Sequence, residues 1–327
     1  MRGLLLRGLA LAALVVVVLN WTYGRLPDEP KPAGSFVQIG KLRIHYLEHP
    51  GSGTPVLLIH GLPGTAEDFN AVTPLLSEHR TIAIDRPGFG YSSGEYVPFD
   101  RQLSAIEELI QRLHLVRPIL VGHSYGGTIA LGFAERHPAE VAGLVLVDAA
   151  AGGTKLGGFQ RAQAHLVRFL QLPVIRQIAN ATFGQLLDTI SVNQGDAKAF
   201  HPLPVIEVHR HRLLAINMTH GNLEAFAGEQ LAANGVIERV DKRLGSIATP
   251  SIVIEGSGDQ LVEPQYARRI ARELPNAGLE MLKGGHMQPY AHPLAIAEAV
   301  ESLTHGSASP AFTLGTLTLR SGAHSGV

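Results

Sequence analysis

The apolar run Ile119-Leu120-Val121 passes without a loop into Gly122-His123-Ser124-Tyr125-Gly126-Gly127-Thr128, and Ile129 to Arg136 continues with helical character. A buried strand that turns straight into a helix leaves few backbone solutions, because the two elements touch at the corner. Very small side chains are then needed two residues either side of the turn's centre, and Gly122 and Gly126 supply them. Ser124 stands at the centre, where the backbone is strained and the side chain is pushed outward. Two other readings fit the same glycines. Gly122 and Gly127 have the spacing of a phosphate-binding loop, but no lysine stands between Gly127 and Thr128. An ordinary tight turn needs no chemical partners, so the rest of the chain decides whether Ser124 is a nucleophile.

Along the chain, short apolar runs alternate with helical patterns. Residues 36–39 and 42–47 read as a strand pair turning at Gly40-Lys41, and residues 56–59 and 81–84 as buried strands with a helix over 66–77 between them. Apolar residues at 103, 106, 109, 110 and 113 make a helical stripe that leads into the strand before Ser124. Leu144 to Val147 is one more strand. From 159 to 235 only helical patterns appear, and alternation then resumes with a strand at 251–254, a helix at 264–274, a short strand near 279–282 and a helix at 291–303. This grammar predicts an α/β fold with a mostly parallel sheet covered on both faces. The expected organisation is an N-terminal apolar segment (1–24), a linker (25–34), a core formed by 35–150 and 236–305, a helical cap (151–235) inserted after the sixth of eight strands, and a disordered tail (306–327). Gly88-x-Gly90 with Gly94 approaches a dinucleotide fingerprint, yet residue 93 is serine and no helix opens behind it, which argues against a nicotinamide or flavin site.

A serine hydroxyl is a poor nucleophile at neutral pH and needs a base within hydrogen-bond reach, itself oriented by a third group. Two late loops offer candidates: Glu255-Gly256-Ser257-Gly258-Asp259 and Gly284-Gly285-His286. Both leave the carboxyl ends of parallel strands, the edge where sites in open α/β sheets assemble. Asp148 also ends a strand and is the alternative acid, whereas Glu255 lies early in its loop. Among 16 histidines, position alone singles out His286. His123, whose ring is expected to point away, and His292 both read as structural, and His209-Arg210-His211-Arg212 reads as a solvated cap face rather than a metal or anion site.

With these pieces together, the chain resembles α/β-hydrolase fold proteins over roughly residues 36–305. The motifs that carry the resemblance are His60-Gly61, Asp85-Arg86-Pro87-Gly88-Phe89-Gly90, Gly122-His123-Ser124-Tyr125-Gly126-Gly127, Gly258-Asp259 and Gly285-His286. The resemblance implies a catalytic triad of Ser124, Asp259 and His286, with an oxyanion hole made by the backbone N–H groups of Leu62 and Tyr125. His60 is expected to pack beneath the oxyanion loop, with Gly61, Gly122 and Gly126 as supporting positions. The implied activity is hydrolysis of ester-type bonds in small or medium hydrophobic substrates through an acyl-enzyme, without metal or organic cofactor. Relatives that dehalogenate alkyl halides or open epoxides carry aspartate where this chain has Ser124. Carbon-carbon bond hydrolysis by the same triad is the alternative, and a non-catalytic ligand-binding module a second one.

Lys plus Arg (27) nearly balance Asp plus Glu (28), and the formal charge of -1 gives no general attraction to nucleic acid. The absence of cysteine excludes thiolate catalysis, disulfides and Cys-ligated zinc. Membrane contact is expected at the N-terminus instead. Arg2 and Arg7 precede an apolar run from Gly8 to Leu19, followed by Asn20, Trp21 and Tyr23. Counted from Leu4 this is long enough to cross a bilayer, and no Ala-x-Ala cleavage pattern follows the valines. The reading is an uncleaved anchor with cytoplasmic arginines and an extracytoplasmic catalytic domain; a cleaved signal, giving a secreted or periplasmic protein, is the alternative. No pattern in the chain specifies an oligomeric state.

Overall fold

The computed structural model describes residues 2–24 and 26–304, so the tail at 306–327 lies outside the described residues. Strands β1 (Ser35–Ile39), β2 (Leu42–His49), β3 (Gly53–Ile59), β4 (His79–Ile84), β5 (Ile119–His123), β6 (Gly143–Val147), β7 (Ser251–Gly256) and β8 (Ala277–Leu282) form one sheet. Their spatial order is β1-β2-β4-β3-β5-β6-β7-β8. β1 and β2 are antiparallel to each other, as β2 is to β4, and every later pairing is parallel. Every residue of β5 and β6 is buried, which is why these strands read as unbroken apolar runs rather than as alternating ones.

Helices α1 (Arg2–Tyr23), α2 (Phe99–Arg112) and α3 (Tyr125–Arg136) precede the insertion. Helices α4 (Gly158–Leu170), α5 (Pro173–Thr182), α6 (Gly184–Phe200), α7 (Glu207–Arg212) and α8 (His220–Asp241) all lie between β6 and β7. Helices α9 (Pro264–Glu273), α10 (Gln288–Ala291) and α11 (Pro293–Thr304) complete the core. One sheet face packs against Leu103, Ile106 and Leu109 of α2, Ile129 and Phe133 of α3 and Ile270 of α9. The other packs against Phe69, Val72 and Leu76 and against Ile296 and Val300 of α11.

Three local departures from the sequence pattern have physical causes. The helix expected over 66–77 is two 3-10 turns, Ala66–Phe69 and Thr73–Leu76. Asp68 caps the first turn by accepting the Thr65 N–H at 3.0 Å, and Pro74, which has no N–H, fits only the first turn of a new segment and so divides the stretch. The last helical stretch breaks at His292, because the residue before a proline is pushed out of the helical region. α8 runs through Gly235 to Asp241, since Ala233, Ile237 and Val240 are buried on the core and packing outweighs the cost of one helical glycine.

Candidate active site

Ser124 lies between β5 and α3 with φ 53° and ψ -121°, a conformation that L-residues rarely adopt. The strain is held by backbone bonds to the end of β6: Ser124 N–H donates to Val147 O at 2.9 Å, and Ala150 N–H donates to Ser124 O at 3.0 Å. The flanking glycines are forced by contact. A Cβ on Gly122 would stand 2.5 Å from Gly126 O, and one on Gly126 would stand 2.1 Å from Ile59 O. Both positions therefore bring the elbow hard against itself and against β3. The loop after β3 closes on the serine as well, since a Cβ on Gly61 would lie 2.9 Å from Ser124 Cβ. Leu62 follows in that loop and Tyr125 opens α3, so both expected oxyanion amides belong to segments that converge on Ser124.

The two late loops meet beside this corner. His286 Nδ1 is 2.6 Å from Asp259 Oδ2, and both residues are buried. Asp259 Oδ1 also accepts the N–H groups of Leu261 (2.7 Å) and Val262 (3.0 Å). Burial works against the charge on each partner, but the pairing outweighs it in both directions. The positive His286, the hydrogen bond to it and the two amides hold Asp259 below the usual carboxylate range. The Asp259 charge and hydrogen bond, with Asp148 behind them, raise His286 above its ordinary value. With Nδ1 committed to Asp259, Nε2 is the His286 nitrogen available for proton transfer.

Asp148, the alternative acid, is fully buried and spent on backbone: Gly256 N–H donates to Oδ1 at 2.9 Å and Gln288 N–H to Oδ2 at 3.2 Å. It fastens the β7 and β8 loops together beneath the site. Glu255 is also fully buried, and among the described residues no donor reaches either of its oxygens. Burial, followed by the charges of Asp148 and Asp259, pushes its carboxyl up to about 11, so it is a neutral acid at physiological pH. Oxygens of Asp148, Glu255 and Asp259 lie within 4.8 Å of one another, a grouping that a cation could occupy. Two of the three are already engaged, Asp148 by backbone amides and Asp259 by amides and His286.

His60 directly follows β3 and lies under the loop that it opens. Its Nε2 accepts the Arg86 N–H at 2.9 Å, which makes Nδ1 the protonated nitrogen that donates to Gly61 O at 2.9 Å. Burial and the Arg86 charge keep the ring neutral. Arg86 itself donates from Nε to His60 O (3.0 Å) and from Nη2 to Gly61 O (2.8 Å). Its charge is met by Glu229 of cap helix α8, bidentately at 2.6 and 2.9 Å, with Gln102 accepting a further bond at 3.1 Å. Asp85, at the end of β4, accepts the N–H groups of Ala66 (2.7 Å) and Tyr91 (2.8 Å) and pairs with His45 Nδ1 (2.7 Å). The loop after β3 is thus held by the Asp85-Arg86 segment, and that segment is locked to α8 by Glu229.

Two expectations are corrected. His123 does not turn away: its Nε2–H donates to the His286 carbonyl at 2.8 Å, with ring centroids 5.0 Å apart. Burial and the nearby His286 push its pKa down to about 3, so it is a neutral buttress for the backbone of His286. The His209–Arg212 segment is a solvated face only in part, for His211 is exposed but His209 is not. Only part of a six-residue helix can face water, and here His209 is buried, 3.4 Å from Asp196 and 3.8 Å from Asp68, while Arg212 pairs with Glu67 at 2.5 Å. Glu229 carried no sequence signal of its own. Only the need of a buried Arg86 for a counter-ion asks for such a residue.

The comparison with known proteins agrees with this architecture. The model of the alpha/beta hydrolase family matches residues 56–299. Lipase 1 of Psychrobacter immobilis is 28% identical over 242 residues, covering 72% of each chain. The magnesium-chelatase 30 kDa subunit of Rhodobacter capsulatus is 30% identical over 250 residues, covering 73% of this chain and 82% of its own. Among solved structures, an esterase from Exiguobacterium antarcticum superposes with a TM-score of 0.66 at 22% identity, covering 84% of this chain and all of that one. The chain belongs to the alpha/beta hydrolase family.

Proposed function

We propose that the protein is a membrane-anchored serine hydrolase that cleaves carboxylic esters of small or medium hydrophobic substrates through an acyl-enzyme. The observation that carries this reading is the Asp259–His286 pair at 2.6 Å, on loops that meet the strained Ser124 elbow. His286 Nε2 removes the Ser124 proton as Oγ attacks the ester carbonyl. Charge then develops on the carbonyl oxygen, and the amides of Leu62 and Tyr125 stabilise it, the latter reinforced by the positive end of α3. His286, held in position by Asp259, next gives its proton to the leaving alcohol. Water attacks the acyl-enzyme by the same route in reverse. The similarity to a protein named a lipase supports an ester as the substrate.

For location, the 22 residues of α1 would reach ~33 Å at about 1.5 Å each, enough for a hydrocarbon core of ~30 Å. Retention of Arg2 and Arg7 in the cytoplasm puts the catalytic domain outside it.

Turnover of aryl esters of graded acyl length, beside a ring-cleavage dienoate, tests the chemistry. Ester hydrolysis that disappears in Ser124→Ala supports the reading, and dienoate cleavage without ester hydrolysis replaces it with carbon-carbon bond hydrolysis. N-terminal sequencing of the mature protein tests the anchor: a chain that starts beyond Gly24 refutes it.

A further inference from the structure

The cap carries an exposed apolar surface. On α4, α5 and the turn between them, Phe159 (80%), Leu166 (52%), Phe169 (54%), Leu172 (50%), Val174 (69%) and Ile178 (58%) are each exposed by half or more. Spacings of 7 and 3 along α4 and of 4 along α5 put them on stripes of their helices, so this is a patch rather than a scatter of single residues. The same stretch is basic. Lys155, Arg161, Arg168 and Arg176 fall within residues 149–187, which hold no Asp or Glu, although the whole chain is balanced at -1.

The patch also adjoins the apolar N-terminal helix. Asn20, 1% exposed, donates from Nδ2 to Asn180 O at 3.1 Å and accepts the Leu186 N–H on Oδ1 at 3.0 Å. Gly24 lies so close that a Cβ there would stand 2.6 Å from Leu186 N. The end of α1 is therefore pinned to the α5–α6 junction, while Trp21 and Tyr23 remain exposed at 65% and 72%, as suits side chains of a headgroup layer.

We propose that the α4–α5 face of the cap lies on the bilayer that α1 crosses, with its apolar side chains in the acyl boundary and its arginines and lysine on anionic phospholipid headgroups. This rests on α1 being a retained membrane span. A second copy of the chain is the poorer occupant, because a two-fold contact through this patch sets basic residues against basic residues with no acid among them. The docked cap is bonded to the site: Ala199 O of α6 accepts the His286 N–H at 2.8 Å, and Glu229 of α8 holds Arg86. The ester substrate is accordingly one dissolved in the membrane, delivered to Ser124 beneath a cap that rests on the lipid.

The chain has no cysteine, so single probes can be placed cleanly. Full-length Phe169→Cys and Val174→Cys are labelled with an environment-sensitive nitrobenzoxadiazole and reconstituted in phosphatidylcholine vesicles containing phosphatidylglycerol. Val116→Cys, at a position 76% exposed before β5, is the reference. Side chains that enter the boundary by ~5–10 Å should be quenched by shallow doxyl-phosphatidylcholine at least about threefold more than the reference. Quenching should weaken in purely neutral vesicles and in an Arg161→Gln/Arg168→Gln background. Vesicle-bound protein that labels with a fluorophosphonate but shows cap quenching equal to the reference overturns the docking proposal alone. Label-to-label self-quenching without lipid quenching overturns it in favour of a second copy. Protein that washes off the vesicles at alkaline pH overturns the span and the docking together, and leaves the hydrolase reading standing.

Discussion

Replacing Glu229 with glutamine keeps the shape of the cap helix and removes one charge from a site closed to water. The Arg86 and Glu229 side chains are 0% and 2% exposed and meet through two hydrogen bonds of 2.6 and 2.9 Å. Breaking a buried pair from one side costs ~3–5 kcal/mol, because the remaining charge keeps its desolvation penalty. Arg86 retains Gln102 Oε1 and the carbonyls of His60 and Gly61 as acceptors, which places Glu229→Gln at the lower end, about 3 kcal/mol. At ~2–4 °C per kcal/mol, the melting temperature falls by ~6–12 °C. Thermal unfolding of the full-length protein in detergent, followed by circular dichroism, measures this. The double variant Arg86→Met/Glu229→Leu removes both charges but leaves the buried His60 and Gly61 carbonyls without donors, so it should not recover the full stability. It should not regain activity, because the His60 and Gly61 carbonyls lose the donors that fix the loop before Leu62; kcat falls more than KM changes. A loss below ~1 kcal/mol in Glu229→Gln refutes the reasoning.

The remaining predictions concern the residues around Ser124. His286 is raised above its ordinary value by Asp259, so the acidic limb of kcat/KM lies above pH 6.5; in Asp259→Asn the limb moves down in pH while kcat falls ~10⁴-fold, and an unmoved limb contradicts the ion pair. Glu255 keeps its proton up to about pH 11 when folded but loses it near 4.5 when unfolded, so it costs stability increasingly as pH rises between those values, at ~1.4 kcal/mol per unit. Glu255→Gln should therefore gain ~3 kcal/mol near pH 7 and nothing near pH 4, read from urea midpoints at the two pH values. Gly126→Ala forces a Cβ to 2.1 Å from Ile59 O, and the elbow should lose ~1–3 kcal/mol, seen as a lower melting temperature together with reduced turnover.

The sheet was readable because its central strands are buried on both faces, so Val56 to Ile59, Ile119 to Val121 and Leu144 to Val147 stand out as apolar runs between polar loops. The elbow was readable for a steric reason: Gly122 and Gly126 stand where only glycine fits. The pairing of Asp259 with His286 followed from their places after the last two strands. What stayed hidden depends on contacts far apart in sequence. Nothing near Glu229 marks it as the partner of Arg86, 143 residues away. His209 sits in a run of four basic residues that reads as solvated, and only the three-dimensional approach of Asp196 and Asp68 draws it inside. The direction of the His123 ring is not legible in the sequence, because adjacency to the elbow says nothing about the carbonyl of His286 that the ring meets. The stretch 66–76 is two 3-10 turns rather than one helix because Pro74, which has no N–H, can only begin a new segment.

The account stands most directly on the identity of the nucleophile. Full-length protein treated with a fluorophosphonate ester, digested and analysed by mass spectrometry, reports the modified residue. The account predicts one adduct on the peptide that contains Ser124, lost together with ester turnover in Ser124→Ala. An adduct on another residue, or ester turnover that survives in Ser124→Ala, contradicts it.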